Sequence, residues 1–416
     1  MIMSTGNTPE HADPAMSPAH ATGLQSASAS AAAPHAAYAD QVHRAAQQSY
    51  SRKDDHVRLA NSQHEAENRN SFDDVRFIHN SFPDIAVTDI DLHTDVLGAR
   101  WELPFYINAM TGGSKQTGVL NASLAEAANA TGISIASGSQ HAALRDSSLT
   151  PTFATLREHT RGFLIANVGP SVTAAQAQQA VEMIDADALQ VHVNAAQEIV
   201  MPEGDRDFRD WKASIDAIAE TVQVPVIVKE VGFGMSQATI RYLYTTKAAA
   251  IDVSGKGGTD FITIENQRRK RSEFSYMTGW GESTVLSLMN VATVDNDIFG
   301  QNRPTQEGAE RHCSKPQVIA SGGVRTPLDV AIALSMGAQA VGVSGHFLHT
   351  LIASGTEGLI AEIERWKQQL GSIMTLLGAR SLTELSRTDL VITGETAQEA
   401  EVLGISLKGY ANRSVH

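Results

Sequence analysis

Residues 317–345 read QVIASGGVRTPLDVAIALSMGAQAVGVSG, and this stretch predicts a strand, a turn, a helix and a second strand. The apolar runs at 317–320 and 340–343 are typical of strands covered on both faces, as in a parallel sheet. Glycines follow each run. Pro327 stands where the helix begins, since proline suits the first helical position.

The same alternation of an apolar run and a helix-like segment recurs along residues 103–343. The eight runs lie at 104–108, 132–136, 162–167, 188–193, 224–229, 250–253, 317–320 and 340–343. Amphipathic segments separate them, for example at 174–184, 207–221, 236–246 and 327–336. Eight strand–helix units over roughly 250 residues match a (β/α)8 TIM barrel. A doubly wound sheet is the competing α/β fold, but no G-x-G-x-x-G turn follows a run, which disfavours it.

Composition divides the chain into four segments. Residues 1–48 are rich in Ala, Ser, Pro and His, so they bury too little apolar surface to offset their ordering entropy, and we expect a disordered tail. Residues 49–102 form a charged N-terminal segment, 103–372 the barrel, and 373–416 an extension with an extra helix and a loop. Within the barrel, the polar residues 291–315 predict a loop long enough to be functional or mobile.

The chain has 416 residues, a formal net charge of −14 at pH 7 and one cysteine, Cys313. An acidic surface repels phosphate backbones, so nucleic acid is not an expected partner. A single cysteine excludes an intrachain disulfide and a cysteine-based metal site, and it fits a reducing compartment. We see neither a long apolar run nor a signal peptide, and therefore expect a cytoplasmic protein with no membrane partner.

In a (β/α)8 barrel the chemistry gathers where the strands end, and here those ends are polar and rich in glycine. Gly322 and Gly323 follow the seventh strand, with Arg325 beside them. Ser344 and Gly345 follow the eighth. Exposed backbone N–H groups and the helix that begins after each turn suit a phosphate group, although the glycines could also serve only a tight turn.

Lys229 ends the fifth strand and has three interpretations. It could form a Schiff base, as in an aldolase-type barrel, or its ammonium could face the electron-rich edge of a flavin. It could also simply pair with Asp252 or Glu230. The flavin is favoured by neutral hydrogen-bonding residues at neighbouring strand ends, which suit the polar edge of its ring: Thr111, Ser139, Asn167 and Thr259.

The fourth strand offers further candidates. Glu198 follows it, and a carboxylate at the mouth of a phosphate-binding barrel can hold Mg²⁺, which prefers oxygen ligands. An exposed acidic loop is the alternative, above all for Glu203 and Asp205. His192 and Asn194 alternate with apolar residues and should share one face of the strand, turned either to the pocket or to the core.

Seven strings, in this order, resemble those of the type 2 isopentenyl-diphosphate isomerases, the FMN-dependent kind, over residues 51–374. They are RKxxH at 52–56, NAMTGG at 108–113, GSQ at 138–140, HVNxxQE at 192–198, MPEGDRDF at 201–208, DVSGxGGT at 252–259 and SGGVR at 321–325. One glycine-rich turn would be weak evidence for a family, but the combination of all seven motifs on predicted strand ends is specific.

The resemblance implies an isomerase of isoprenoid biosynthesis that interconverts isopentenyl and dimethylallyl diphosphate with reduced FMN, Mg²⁺ and NAD(P)H as the reductant. It implies FMN contacts at Ala109, Met110, Thr111, Ser139, Asn167, Lys229, Ser254, Thr259, Gly322, Gly323, Val324, Arg325, Ser344 and Gly345. It implies substrate contacts at Arg52, Lys53, Ser139, Gln140, His141, Asn194 and Gln197, catalytic roles for Gln197, Glu198 and His192, and a metal on Glu198. The resemblance also implies that the protein is a homo-oligomer, either a tetramer or an octamer.

Two features of the sequence bear on how the diphosphate is bound, and two other functions are considered beside the isomerase. Arg52 and Lys53 precede the barrel, and we hypothesise that their segment folds over the mouth of its own or a neighbouring subunit's barrel. His141 stands where many relatives place arginine, which would make one diphosphate contact depend on pH. An FMN-dependent oxidoreductase of the 2-hydroxy-acid or dihydropyrimidine type is the rival enzyme, and a flavin-binding protein without turnover is the rival from another class.

Overall fold

A helix, a short strand and a hairpin precede the barrel in the computed structural model, which describes residues 52–64, 69–300 and 315–414. These elements are α1 (Arg52–His64), β1 (Val75–Phe77), β2 (Thr94–Val96) and β3 (Ala99–Trp101). β2 and β3 pair antiparallel around Leu97 and Gly98, both of which have positive φ. The predicted tail over 1–48 lies outside the described residues.

The eight predicted strands form one closed parallel barrel, so the predicted (β/α)8 fold is confirmed. The strands are β4 (Phe105–Ile107), β5 (Ile135–Ala136), β6 (Leu164–Val168), β7 (Ala188–Val193), β8 (Val226–Glu230), β9 (Ala250–Asp252), β10 (Gln317–Ser321) and β11 (Ala340–Val343). Their order around the barrel is β10-β11-β4-β5-β6-β7-β8-β9. β11 closes the ring against β4, with Val343 opposite Ile107.

The barrel interior is filled by a layer in which large and small side chains alternate from strand to strand. Tyr106, Ile165, Ile227 and Ile319 come from every second strand, and Ala136, Ala188, Ala250 and Ala340 from the strands between them. This alternation packs a closed ring without voids. The β2–β3 hairpin completes the packing, because Val96 and Trp101 join the same apolar cluster. The barrel is thus solid in its middle, which leaves the strand ends for a ligand.

Helices cover the outside of the barrel and bury the outward side chains of the strands. They are α2 (Lys115–Thr131), α3 (His141–Arg145), α4 (Pro151–His159), α5 (Ala174–Met183), α6 (Ala195–Val200), α7 (Trp211–Thr221), α8 (Gln237–Leu243), α9 (Phe261–Arg268), α10 (Thr284–Phe299), α11 (Pro327–Ser335) and α12 (Gly345–Leu377), followed by α13 (Leu382–Leu385) and α14 (Gly394–Val402). α11 begins as its sequence predicts, with Pro327 in the first turn and the Thr326 hydroxyl accepting from the N–H of Asp329. In the part of the chain described, no helix has the length and apolar character to cross a membrane.

The predicted loop over 291–315 is wrong in its first part, because α10 continues to residue 299. Val294 is fully buried on the inner face of this helix. Beside it, the half-buried Asp295 accepts a hydrogen bond from the hydroxyl of the buried Tyr244 at 2.8 Å, whereas Asn296 and Asp297 are exposed. The polar residues therefore form a solvated helix face rather than a loop. Residues 301–314, with the rest of the predicted loop, lie outside the described residues.

The C-terminal residues complete a small sheet instead of forming only a helix and a loop. β12 (Leu390–Ile392) pairs antiparallel with β1, with Ile392 opposite Val75. The buried carboxylate of Asp74 also accepts from the hydroxyl of Thr396 at 2.7 Å. The predicted boundary at residue 373 falls inside α12, because the last barrel helix runs on past the barrel.

Candidate active site

A cavity of about 1430 Å³ opens at the ends of the barrel strands, where the sequence places the candidate residues. The residues that follow all eight strands contribute to its wall. Lys53 and His56 of α1 and the segment 69–73 line it as well. Since α1 belongs to the same chain, the N-terminal segment borders the mouth of its own barrel.

The loops after β9 and β10 approach each other closely at one end of the cavity. A Cβ on Gly322 would lie 2.3 Å from the carbonyl oxygen of Gly255, and Gly322 has a φ of +88°. Asn70 joins the two loops, because its amide donates to the carbonyl of Gly323 at 2.8 Å and to that of Gly257 at 3.3 Å. Backbone groups free of side chains, beside the first turns of α11 and α12, fit the phosphate of FMN.

Replacing Gly322 by alanine is expected to abolish tight FMN binding, because the new Cβ would strain the turn and collide with backbone. Dissociation constants for FMN, measured by flavin fluorescence on the refilled apoprotein, check this. Gly337→Ala is the matched control, since Gly337 has a φ of +105° but its Cβ would meet no atom within 4 Å. An FMN affinity that falls equally in both variants would show that backbone strain, not the collision of the new Cβ with the neighbouring loop, is responsible.

Arg325 lines this end of the cavity, but its guanidinium is already engaged by a carboxylate. It donates to both oxygens of Asp73, at 2.8 and 3.1 Å. The hydrogen bonds from Arg325 hold the pKa of Asp73 below its usual value. A phosphate at Gly322 and Gly323 would therefore meet an arginine whose charge Asp73 partly neutralises. Sequence reasoning did not find Asp73, which lies far from Arg325 in the chain.

Lys229 pairs with Asp252, as one of its three interpretations expects, and it also borders the cavity. Its ammonium donates to Asp252 at 2.8 Å and to the hydroxyl of Ser321 at 2.6 Å. Glu230 does not take part, since its carboxylate accepts from the N–H of Phe233 at 2.7 Å. An ammonium held in this way is a fixed positive charge, which suits an electron-rich ligand edge better than nucleophilic attack.

A buried chain of polar side chains crosses the barrel beneath the cavity. Asn167 donates to Gln190 at 3.1 Å, and Gln190 donates to the hydroxyl of Tyr106 at 3.2 Å. Gln190 and Tyr106 are fully buried. Such a chain holds the cavity-lining amide of Asn167 in one orientation. Gln190 and Tyr106 sit inside apolar runs, which is why sequence reasoning missed them.

His192 lines the cavity as a neutral ring. Burial, and then the nearby charge of Lys53, lower the pKa of His192 to about 3. Its Nδ1 lies 2.7 Å from the amide oxygen of Asn167, so this nitrogen carries the hydrogen and donates. A neutral imidazole can accept or donate a hydrogen bond near pH 7 but adds no positive charge to the site.

Gln197 lies in the first turn of α6, and the side chains of Asn194 and Glu265 hold it in place. Asn194 caps this helix by accepting from the N–H of Gln197 at 2.8 Å, and its amide donates to the Gln197 oxygen at 3.2 Å. The Gln197 amide in turn donates to the buried carboxylate of Glu265 at 3.0 Å. His56 of α1 lies 2.8 Å from the same Glu265 oxygen. Glu265, which sequence reasoning missed, thus ties α1 to Gln197.

The stability of the protein is expected to fall in acid through Glu265. Burial alone would raise the pKa of Glu265, but hydrogen bonds from His56, Gln197 and Arg268 outweigh it and lower the pKa to about 2. A lowered pKa adds stability that is complete above the unfolded value, about 4.5, and is lost as the pH falls through about 2. The loss amounts to about 3 kcal/mol.

Thermal unfolding of wild type and Glu265→Gln between pH 2 and 7 measures this contribution. The difference in unfolding midpoint between the two proteins should be largest at neutral pH and should disappear near pH 2. A difference that does not change with pH would contradict the assignment.

Glu198 lines the cavity, and one of its oxygens accepts from the N–H of Asp205 at 2.7 Å. Among the described residues, no group of three or more His, Cys, Asp or Glu side chains could hold a metal ion. A Mg²⁺ at Glu198 would therefore need oxygens from water and from a ligand, which is how Mg²⁺ commonly binds beside phosphates.

The other residues predicted for the site also line the cavity: Ala109, Met110, Ser139, His141, Ser254, Thr259, Val324, Ser344 and Gly345. Thr111 and Gln140 do not. The hydroxyl of Thr111 bonds to Asn121. The amide of Gln140 donates to the carbonyl of Ala180 at 2.8 Å and accepts from the N–H of Asn167 at 2.9 Å. Both side chains support the wall from behind. The side chain of Arg52 lies outside the described residues.

A model of the FMN-dependent dehydrogenase family matches residues 58–146 and 150–392. A mutant flavocytochrome b2 solved with benzoylformate superposes with a TM-score of 0.60 at 18% identity, covering 87% of each chain. At that identity the likeness concerns the fold. The chain thus belongs to the FMN-dependent dehydrogenase family of barrels.

Closer relatives define the subgroup. The isopentenyl-diphosphate delta-isomerase of Streptomyces sp. (strain CL190) is 46% identical over 365 residues, which cover 87% of this chain and 95% of that protein. That of Nocardia farcinica is 47% identical over 368 residues, covering 88% and 96%. Within its class, the chain is a member of the isopentenyl-diphosphate delta-isomerase family.

Proposed function

We propose that this protein interconverts isopentenyl diphosphate and dimethylallyl diphosphate, using reduced FMN and Mg²⁺. The observation that carries the proposal is the 46–47% identity to isopentenyl-diphosphate delta-isomerases over nearly their whole length. The 2-hydroxy-acid oxidoreductase is not favoured, because solved oxidoreductases of this fold share only about 18% identity. The proposal accounts for a cavity that combines a phosphate cradle, formed by the glycine turns at 322–323 and 344–345, with Gln197 and Glu198.

The cavity can hold FMN, with its phosphate on Gly322, Gly323, Ser344 and Gly345 and its ring polar edge near Lys229. When bound, reduced FMN would supply an electron-rich ring and an exchangeable proton for the movement of the double bond. Lys229, fixed by Asp252 and Ser321, presents a positive charge to that edge. The backbone N–H groups of the glycine turns would donate to the phosphate.

The substrate would place its diphosphate against Lys53, His141 and a Mg²⁺ on Glu198. The charges of Lys53 and of the Mg²⁺ would offset the repulsion that an acidic protein exerts on an anion, and His141 could add a hydrogen bond. Gln197, held by Asn194 and Glu265, orients the hydrocarbon end next to the ring. Restricting that end to one geometry lowers the entropic part of the barrier. The double bond moves by gain of a proton at one carbon and loss of a proton at another.

NAD(P)H as the reductant, a homo-oligomeric tetramer or octamer and a cytoplasmic location belong to the same proposal. They rest on the resemblance of the sequence to the family and on the single cysteine, which fits a reducing compartment. Size-exclusion chromatography with light scattering tests the oligomer.

The decisive experiment is an isomerisation assay followed by proton NMR. Purified protein with FMN, NADPH and Mg²⁺ should convert isopentenyl diphosphate to dimethylallyl diphosphate, and omission of FMN, reductant or Mg²⁺ should stop the reaction. Formation of no dimethylallyl product, together with reduction of FMN by a 2-hydroxy acid, would replace the isomerase by the oxidoreductase. A protein that binds FMN but does neither would be the non-enzymatic flavoprotein.

A further inference from the structure

We propose that Arg145 binds the diphosphate group of the substrate, an assignment that rests on the proposed isomerase function. Arg145 is the last residue of the short helix α3, and it lines the cavity. None of the seven motifs that carry the family resemblance includes Arg145, and the nearest of them, GSQ, ends at Gln140. The role therefore comes from its position in the fold.

The position of Arg145 follows from helical spacing. It lies four residues after His141, the first residue of α3, and residues four apart share one face of a helix. Both side chains line the cavity, as does Lys53 of α1. A Cβ on Gly113 would lie 3.3 Å from Ala142 of α3 and 3.8 Å from the Lys53 side chain, so α1 and α3 meet at this part of the wall.

Charge pairing distinguishes Arg145 from the other arginines of the cavity. Among the described side chains, three arginines line it: Arg69, Arg145 and Arg325. Arg69 pairs with Asp74, and Arg325 pairs with Asp73. Within residues 52–64, 69–300 and 315–414, no hydrogen bond, ion pair or ring contact of the Arg145 side chain is found. Of the three, it is therefore the guanidinium whose charge is fully available to an anion.

The neighbouring carboxylate does not neutralise Arg145. Asp146 accepts from the backbone N–H of Ser148 at 3.0 Å, and hydrogen bonds from Ser148 hold the pKa of Asp146 below its usual value. The carboxylate thus caps the following turn instead of pairing with the arginine. In a chain with a net charge of −14, an arginine left unpaired at a cavity suits an anionic ligand, because a guanidinium can donate two hydrogen bonds to a phosphate.

The position in the barrel favours the substrate diphosphate over the phosphate of FMN. The phosphate cradle follows β10 and β11, whereas α3 follows β5. Two strands separate β10 from β5 in the ring, and β4 separates β11 from it. α3 instead begins at His141 and meets Lys53 of α1 beside Gly113. Arg145 therefore lies on the side of the cavity where Lys53 and His141 are proposed to bind the diphosphate.

The test measures binding of inorganic diphosphate to the FMN-loaded enzyme by calorimetry in the presence of Mg²⁺, alongside the isomerisation kinetics. Arg145→Gln is expected to raise the dissociation constant of diphosphate and the KM for isopentenyl diphosphate about 10- to 100-fold, with kcat within about twofold of wild type. Arg145→Lys should recover part of the affinity, because it keeps the charge but not the paired donors.

Arg161→Gln is the matched control. Arg161 is exposed and precedes β6 at the opposite end of the barrel, so it changes the net charge equally but should leave both constants unaltered. Unchanged diphosphate affinity in Arg145→Gln, or loss of FMN in place of diphosphate, would overturn the proposal. If the wild type binds diphosphate but does not isomerise, the function fails while the binding comparison still decides the role of Arg145.

Discussion

Replacing Glu198 by glutamine is expected to lower kcat/KM for isopentenyl diphosphate about 10²- to 10³-fold while FMN stays bound. Losing one preorganised charged contact at a reacting group commonly has an effect of this size. Glutamine keeps the acceptor for the N–H of Asp205, which lies 2.7 Å from the carboxylate, so the local loop should not change. What is lost is the negative charge that would hold Mg²⁺.

Rates measured over a range of Mg²⁺ concentrations, with the flavin absorbance as a record of FMN content, check this expectation. Glu182→Gln is the matched control, because Glu182 is an exposed residue of α5 whose carboxylate accepts from Gln178 at 3.1 Å. That variant should behave as wild type. If Glu198→Gln keeps wild-type kcat/KM at every Mg²⁺ concentration, Glu198 is not the metal ligand.

Replacing Asp252 by alanine is expected to destabilise the apoprotein by about 3–5 kcal/mol, because it leaves the buried ammonium of Lys229 without its partner. Asp252 is fully buried. It accepts from Lys229 at 2.8 Å, from Ser321 at 2.8 Å and from the N–H of Ser254 at 3.1 Å. For a chain of this size the loss corresponds to a fall of roughly 5 °C in the unfolding midpoint. FMN affinity should fall as well, since Lys229 and Ser254 both line the cavity.

A double variant separates the charge from the packing. Lys229→Met combined with Asp252→Leu removes both charges, and replacing a buried ion pair by apolar side chains is often neutral or stabilising. We expect its unfolding midpoint to return toward that of wild type while FMN affinity stays low. Equal instability of the single and double variants would mean that the ion pair is not the cause. Calorimetric unfolding and fluorescence titration with FMN give the two readouts.

Much of the fold could be predicted because it is encoded in neighbouring residues. The runs at 317–320 and 340–343 are apolar on both faces, as parallel strands require, and the confirmed β10 and β11 lie there. The prediction failed over 291–299, where acidic and amide residues suggested a loop. Their partners are distant in the chain: Asp295 binds Tyr244 and Lys315. Local composition alone cannot show such partners.

The site divides in the same way. Parallel strands end at one edge, so residues after the predicted strands had to come together, and most of them line the cavity. Which side chains reach it was another matter: Thr111 and Gln140 follow the same strands but turn to Asn121 and Ala180. Rotamer and packing decide that direction, and neither can be read from spacing.

The sequence by itself determined where the strands end and that glycine-rich turns follow two of them, because periodicity and glycine act over a few residues. Only the tertiary structure decided which charges are neutralised. Asp73 meets Arg325 across 252 positions, and His56 meets Glu265 across 209, whereas Arg145 has no ion-pair partner among the residues that the structure describes. The energy of an ion pair depends on the distance between the two charges, and for residues far apart in the chain only the folded structure sets that distance.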